Sequence, residues 1–249
     1  MRWRNLRRSR SSFGRWGVRE RRSPEPGEFS VPADNDPWAA ERSRMVDEQL
    51  IARGIDDPEL VRAFRTVPRH AFVDSDDPYS DRALAIDAGQ TISQPYVVAE
   101  MIRAAWPVAG WRGARVLEIG TGSGYSAAIL AELGATVTTV ERYPELAAAA
   151  VERLRANGYS AVQVVVGDGT LGWPAGAPYD AILVTAAGPI IPPPLQRQLS
   201  PEGGNLIMPV GAREHQFLTV VERHGNTFSS QRGDPVVFVP LVGEHGFEG

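Results

Sequence analysis

The stretch Arg115-Val-Leu-Glu-Ile-Gly-Thr-Gly-Ser-Gly124 decides the fold of this chain. A short apolar run ends here at three glycines with one-residue gaps, and the alanine-rich residues 125–133 that follow are typical of a helix. A strand, a glycine turn and a helix in this order place free backbone N–H groups and a helix N-terminus at the carboxyl edge of a sheet. The glycines permit unusual φ and let a ligand approach bare backbone. An ordinary strand–helix turn would look similar, so the triplet needs further support.

Support comes from acidic residues at the ends of three successive apolar runs. Glu118 lies two residues before the first glycine, Glu141 ends the second run, and Asp168 follows the third. A carboxylate at Glu118 would repel a pyrophosphate but could pair with an ammonium group. Glu141, about 20 residues further on, is placed to accept ribose hydroxyls. The three acids suit a ligand with an amine, a ribose and an adenine, which favours S-adenosylmethionine (SAM) over NAD.

Strand and helix patterns alternate around the turn and predict an α/β fold. The expected architecture is a doubly wound, mostly parallel sheet with N-terminal helices and a C-terminal antiparallel hairpin. One N-terminal helix is predicted over residues 37–54, and a second opens at Asp57-Pro58. The predicted sheet strands are 115–119, 135–140, 162–166, 179–185 and 205–210, followed by hairpin strands at 217–221 and 236–239.

Length and composition indicate one globular domain with an appendage. The chain has 249 residues, 43% of them hydrophobic and 22% charged, which is enough for a substantial core. It has no cysteine, which excludes disulfides, thiolate catalysis and cysteine-ligated metals. The four histidines lack i,i+4 spacing, so we expect no metal site. No apolar run reaches the roughly 18 residues of a membrane span, and we expect a cytoplasmic protein.

The net charge of −4 is unevenly distributed. Residues 1–22 carry nine arginines and one glutamate, a balance of +8, whereas the rest of the chain has 17 arginines and 29 acids, a balance of −12. Residues 1–36 also lack an apolar period, which is typical of disorder. We predict a disordered Arg-rich tail at 1–36 and a catalytic domain at 37–249. Such a tail could bind nucleic acid, but a solvated tail is the interpretation we prefer.

A polar stretch, Gly89-Gln-Thr-Ile-Ser-Gln-Pro95, precedes an expected helix. Ser93 is a good N-cap, and Pro95 is tolerated in the first helical turn. Alternatively, Gln90, Thr91 and Ser93 form a polar clamp over the cleft. Spacing alone does not decide between the two interpretations.

These residues resemble the protein-L-isoaspartate (D-aspartate) O-methyltransferase family, within the Rossmann-like class I SAM-dependent methyltransferases. The resemblance runs from about residue 44 to the C-terminus. The glycine motif is shared by many methyltransferases, but Thr91-Ile-Ser-Gln-Pro together with Val239-Pro-Leu is far more specific. Further matching segments are Val67-Pro-Arg, Gly167-Asp-Gly, Tyr179-Asp-Ala-Ile, Val184-Thr-Ala-Ala and Pro209-Val-Gly.

The resemblance implies a repair enzyme that transfers the SAM methyl group to the α-carboxylate of L-isoaspartyl residues. The methyl ester then collapses to a succinimide, which hydrolyses partly to normal aspartate. Isoaspartyl proteins and peptides would be the partners of a monomer. A second hypothesis is carboxyl methylation of one dedicated peptide partner. An NAD-dependent oxidoreductase and a catalytically idle nucleic-acid-binding module are further alternatives; the glycine spacing and Glu118 argue against the oxidoreductase.

The resemblance also assigns roles to residues. Ser93 corresponds to the active-site serine, and Thr91, Ser93 and the backbone around Val239 would contact the substrate. Glu118 would face the amino-acid portion of SAM, Glu141 the ribose, and Asp168 the adenine edge. The full set expected at the cofactor is Thr91, Ile92, Ser93, Glu118, Gly120, Gly122, Ser123, Glu141, Arg142, Asp168 and Gly169. One departure from the family pattern is Val242, where some relatives carry a polar residue.

Overall fold

The structure, a computed structural model, describes residues 36–248. The predicted disorder of residues 1–36 therefore falls outside the described residues except at Asp36, and it stays a prediction. No helix among residues 36–248 combines the length and apolar character that a bilayer crossing requires.

Short helices and a two-stranded ribbon precede the main sheet. They are α1 (Ala39–Met45), α2 (Pro58–Thr66), β1 (Leu84–Ala85), β2 (Thr91–Ile92) and α3 (Pro95–Ala104). The start of α2 is as predicted, because the Asp57 carboxylate accepts the amides of Glu59 and Leu60 at 3.0 and 3.3 Å. The predicted helix over 37–54 is divided instead: a π-helical turn (Val46–Leu50) and a 3₁₀ turn (Ile51–Arg53) follow α1, and Gly54 ends the segment at φ 85°.

The elements of the main sheet and its helices are β3 (Arg115–Ile119), α4 (Tyr125–Glu132), β4 (Thr136–Glu141), α5 (Pro144–Ala156), β5 (Gln163–Val166), β6 (Ala181–Val184), α6 (Pro193–Gln198), β7 (Glu202–Ala212), β8 (His215–His224) and β9 (Thr227–Val236). The sheet is mixed, and its parallel strands precede its antiparallel strands along the chain. Its strands run in the order β5-β4-β3-β6-β7-β8-β9, and the first five of these pair in parallel. Along the chain, α4 and α5 connect β3, β4 and β5, and α6 connects β6 to β7, so the carboxyl ends of the parallel strands share one edge. The α/β, doubly wound architecture with a terminal antiparallel hairpin is confirmed.

The hairpin closes at Gly225-Asn226, but its second strand is not the predicted one. The prediction of a strand at 236–239 was wrong, since β9 ends at Val236. β9 lies at the sheet edge and is exposed on both faces over most of its length, so no alternation of apolar and polar residues reveals it. Pro235 fits this place, because an edge strand tolerates proline.

The core lies on both faces of the sheet. Successive residues of β3 alternate between the faces, so Val116 packs in the cluster with α2, α3 and α4, whereas Leu117 and Ile119 pack in the cluster with α6. Glu118 shares the face of Val116 by the same alternation. This acid is therefore directed into the packed interior beneath α4, a placement that governs its chemistry.

Candidate active site

Two pockets meet at the glycine turn, at the carboxyl edge of the parallel strands. The strap pocket lies beneath the C-terminal strap, which we define as residues 239–247, and has a volume of about 690 Å³ including its mouth. The serine pocket contains Ser93 and has a volume of about 450 Å³. A ligand over the turn can extend into both, because both are lined by Thr91, Gly120, Gly122 and Thr185.

The glycine turn is held from the neighbouring strand. Gly120 adopts φ 92° and Gly122 φ 52°, which glycine reaches without strain. The Thr185 hydroxyl, just beyond β6, donates to the Gly120 carbonyl at 2.8 Å. A Cβ at Gly120 would overlap that hydroxyl oxygen. The turn therefore requires glycine both for its conformation and for the close approach of Thr185.

Glu141 lines the strap pocket, and both of its carboxylate oxygens accept hydrogen bonds from backbone amides. Its Oε2 accepts the Gly122 amide at 2.9 Å, and its Oε1 accepts the amides of Arg142 and Tyr143 at 2.8 and 3.0 Å. The carboxylate is thus fixed at the end of β4, where the sequence predicted a ribose acceptor. Arg142 and Tyr143 line the same pocket.

Glu118 lies behind the serine pocket and lines neither cavity. The Thr139 hydroxyl donates to its Oε2 at 2.7 Å, and the Thr121 hydroxyl lies 2.7 Å from that of Thr139. Because Thr139 has one hydroxyl hydrogen, Thr121 is the donor in that contact. Burial raises the pKa of Glu118 to about 7, against hydrogen bonds from Thr139 and Ser126 that lower it. Thr121 and Ser126 line the serine pocket, whereas Glu118 lies behind them, and its expected contact with a ligand amine stays a prediction.

Of the neighbouring residues Asp168 and Gly169, only Gly169 lines the strap pocket. Gly169 lines the strap pocket, and a Cβ there would overlap the side chain of Ile119. Asp168 does not line the pocket, because its carboxylate accepts hydrogen bonds from Thr170 and from the Glu244 amide. Burial would raise the pKa of Asp168, but these hydrogen bonds, from Glu244 first, hold it below its ordinary value.

The serine pocket is lined by the polar stretch around β2 and by the turn. Thr91, Ile92, Ser93 and Ser123 all contribute to it, and the strap pocket includes Gln90 and Thr91. Gln90 thus lies at the strap pocket and Ser93 at the serine pocket, with Thr91 lining both, and the clamp interpretation stays a prediction.

Ser93 does not cap α3. The N-cap residue is Gln94, no side chain caps the helix, and Gln94 Nε2 donates to Asp81 instead. The capping prediction was wrong because the chain enters the helix one residue later than the Ser93-x-Pro95 spacing suggested. Among the described residues, the Ser93 hydroxyl has no hydrogen-bond partner, which leaves it free for a ligand.

The strap forms the remaining wall of its pocket. Residues Val239, Pro240, Leu241 and Val242 line it. The Val239 carbonyl accepts the Ala187 amide at 2.8 Å, and the Leu241 amide donates to the Ala187 carbonyl at 2.7 Å. The peptide-contacting backbone expected around Val239 is thus already paired on one side.

Sequence reasoning assigned no role to several lining residues, namely Thr185, Tyr143, Tyr125, Ser126 and the strap residues 240–242. One signal was available for Thr185. It comes directly after the apolar strand β6, just as Glu141 comes directly after the apolar run 135–140. The strap was marked only by the family resemblance of Val239-Pro-Leu, because its place over the pocket depends on long-range pairing.

The lining fits an adenosyl group joined to an amino acid better than it fits a dinucleotide. A carboxylate, Glu141, lies against the glycine turn where a pyrophosphate would need positive charge, and a second acid, Glu118, lies buried behind it. Glu141 can accept ribose hydroxyls, and the apolar residues Ile119, Val140 and Leu241 offer a surface for a flat base.

Comparison with known proteins agrees with this geometry. The family model for Protein-L-isoaspartate(D-aspartate) O-methyltransferase (PCMT) matches residues 40–246. A Protein-L-isoaspartate O-methyltransferase of Methanoregula boonei is 50% identical over 215 residues, covering 85% of this chain and 97% of the relative. Protein-L-isoaspartate O-methyltransferase 2 of Pelobacter propionicus is 52% identical over 211 residues, covering 83% of this chain and 92% of the relative.

Solved structures show the same fold. A protein-L-isoaspartate O-methyltransferase structure aligns with a TM-score of 0.73 and 26% identity, over 82% of this chain and 67% of that one. A putative protein-L-isoaspartate O-methyltransferase from Plasmodium falciparum, in complex with S-adenosyl-L-homocysteine, aligns with a TM-score of 0.71 and 24% identity. That alignment covers 81% of this chain and 98% of the other.

Proposed function

The chain belongs to the protein-L-isoaspartate (D-aspartate) O-methyltransferase family, and we propose that it performs the repair reaction of that family. It is a SAM-dependent carboxyl methyltransferase that methylates the α-carboxylate of L-isoaspartyl residues in damaged proteins and peptides. The methyl ester collapses to a succinimide, whose hydrolysis returns part of the damage to normal aspartate. The structural observation that carries the assignment is the unpartnered Ser93 hydroxyl in a pocket that joins the glycine turn.

The chemistry requires positioning more than acid–base catalysis. When bound, SAM supplies an electrophilic methyl group on a sulfonium. The substrate carboxylate is already ionised at pH 7, so no general base is needed to activate it. We propose that the Ser93 hydroxyl donates to one carboxylate oxygen and leaves the other in line with the methyl group. Alignment of this kind can account for much of a rate enhancement.

The remaining residues hold the two ligands. Glu141 accepts the ribose hydroxyls, and Gly120 and Gly122 give close access to backbone at the turn. Gly169 and the apolar side chains of the strap pocket take the adenine. Thr121 and Ser126, backed by the Glu118 carboxylate, face the ammonium group. Support for these roles is the shared lining of the two pockets.

Methyl transfer to paired peptides tests the function. A peptide containing one isoaspartyl residue is incubated with methyl-labelled SAM beside the same peptide with normal aspartate. We expect label only in the isoaspartyl peptide. Transfer to neither peptide would contradict the repair function and favour the hypothesis of one dedicated peptide partner.

We also propose a cytoplasmic monomer without a nucleic-acid partner. The acidic balance of residues 23–249, 29 acids against 17 arginines, disfavours contact between the domain and a polyanion. Light scattering in solution measures the mass of the particle. A titration with duplex DNA at rising salt reports any contribution of the Arg-rich residues 1–22, since such binding weakens steeply with salt.

A further inference from the structure

The Asp168 carboxylate is bonded to the C-terminal strap. Its Oδ2 accepts the Glu244 amide at 2.8 Å, and its Oδ1 accepts the amide and the hydroxyl of Thr170 at 2.8 and 2.7 Å. The Thr170 hydroxyl oxygen in turn accepts the His245 amide at 3.2 Å. One acid and one threonine therefore bind two successive amides of the strap.

The strap is shaped to receive this carboxylate. A Cβ at Gly243 would overlap the Asp168 carboxylate group, so glycine is the residue that lets the strap approach so closely. The strap then folds back on itself, since the Phe247 amide donates to the Leu241 carbonyl at 2.7 Å. It is thus fixed at two points, the pairing of Leu241 with Ala187 and the bonds to Asp168.

The fixed points adjoin residues that form a wall of the strap pocket. Val239, Pro240, Leu241 and Val242 all line it, while Gly169, next to Asp168 in the chain, lines it from the β5 side. Amides that donate to a carboxylate form stronger hydrogen bonds than neutral pairs do. Release of the strap from Asp168 would leave Val239 and Leu241 paired with Ala187 but would free the strap after Leu241, and so loosen this wall of the pocket.

We propose that Asp168 is a positioning residue, whose carboxylate latches the strap and so forms the wall of the cofactor pocket. The same strap begins at Val239, whose backbone is expected to contact the substrate peptide. The latch therefore also helps to position that backbone, and this part of the proposal rests on the proposed function. Binding of cofactor and ordering of the strap then favour each other, since coupling between two equilibria is reciprocal.

Hydrogen exchange and calorimetry test the latch in Asp168→Asn. Asparagine keeps one acceptor oxygen, so its amino group meets another donor at either the Glu244 or the Thr170 amide and the strap loses part of its anchorage. We expect the amides of residues 244 and 245 to exchange about tenfold faster or more in the protein without cofactor, and the SAM dissociation constant to rise by about the same factor. Unchanged exchange in the strap would overturn the proposal.

A matched pair at residue 244 separates the latch from any direct contact between Asp168 and the ligand. Glu244→Pro removes the donating amide, whereas Glu244→Ala keeps it and loses only a side chain that is 67% exposed. We expect the proline variant to bind SAM about tenfold more weakly and the alanine variant to stay within about twofold of the wild type. Gly243→Ala, which leaves all donors in place, should behave as the proline variant does.

Equal SAM affinity in Glu244→Pro and Glu244→Ala would show that Asp168 acts without the strap. Melting curves identify any variant that fails to fold, and the remaining variants then decide the outcome. Exchange and SAM affinity need no peptide substrate. A failure of the repair function, seen as absent methyl transfer by the wild type, is therefore distinguishable from a failure of the latch.

Discussion

The Gly122 amide donates to Glu141 Oε2 at 2.9 Å and joins the turn after β3 to the end of β4. The acid proposed to hold the ribose thus also fixes the conformation of the glycine turn. Its other oxygen accepts the amides of Arg142 and Tyr143, and the residue is only 5% exposed. Changes at Glu141 should therefore affect both cofactor binding and folding.

Glu141→Ala should raise the SAM dissociation constant about tenfold or more, because hydrogen bonds to a charged group are worth about 1.5–3 kcal/mol. It should also lower the melting temperature, since three amides lose their acceptor. Glu141→Gln keeps one acceptor oxygen and should show smaller losses of both kinds. An unchanged dissociation constant by calorimetry would contradict the proposed role at the ribose.

Ser93→Ala should reduce kcat/KM for an isoaspartyl peptide about tenfold or more, through loss of a hydrogen bond to a carboxylate. Stability should stay within about 0.5 kcal/mol of the wild type, because Ser93 does not cap α3. Steady-state kinetics beside a melting curve measures the two effects. Ser93→Thr, which retains the hydroxyl but adds a methyl group, should recover part of the activity. A fully active alanine variant would exclude a catalytic role.

Glu118 should make the stability of the protein without cofactor fall as pH rises from about 4.5 to about 7. Burial raises the pKa of Glu118 in the folded protein to about 7, from 4.5 in the unfolded chain. Below pH 4.5 the carboxyl group is protonated in both states. Between pH 4.5 and pH 7 it ionises only in the unfolded chain, which stabilises the unfolded state. Above the window the penalty is constant, at most about 3 kcal/mol. Glu118→Gln should remove the penalty, so that its stability relative to wild type increases between pH 4.5 and pH 7. Denaturant melts at several pH values measure this, and a pH-independent difference would contradict the shift.

Deletion of residues 1–35 should leave melting temperature and methyl transfer nearly unchanged. The boundary is placed to keep Asp36, whose carboxylate pairs with Arg42 at 2.7 Å and accepts the Trp38 amide at 2.9 Å. Deletion of residues 1–38 is the control, because it also removes the stacking of Trp38 on His70. We expect only the longer deletion to lower the melting temperature, and a loss of several degrees in the shorter one would show that the tail is structural.

The parallel half of the fold could be predicted because its signals are local. The apolar run 115–119 coincides with β3, and the acids Glu141 and Asp168 lie at or next to the ends of β4 and β5. A buried parallel strand reads as a short apolar run, and the glycines mark its end. The edge strand β9 could not be found in the same way, because solvent on both faces leaves its composition unconstrained.

The candidate site was predictable in position but not in its contacts. Glu118 and Asp168 were expected to face the ligand because both lie near strand ends. The structure buries Glu118 behind Thr121 and Thr139, and it binds Asp168 to Glu244, 76 residues away. The position of Glu118 depends on the face of β3 to which its side chain is directed. The position of Asp168 depends on a segment that is distant in the chain. Neither is encoded in the spacing of a motif.

The exposed strand β9 also bears on how the protein behaves when concentrated or heated. Its outer side presents backbone donors and acceptors along ten residues, a ready template for a strand of another molecule. Pro235 interrupts that row, and the Arg232 guanidinium lies 3.4 Å from the centre of the Phe217 ring. A proline and a cation on an edge both discourage strand addition. We expect these two residues to protect the fold against aggregation, so their replacement by β-branched residues should increase the light scattering of heated samples.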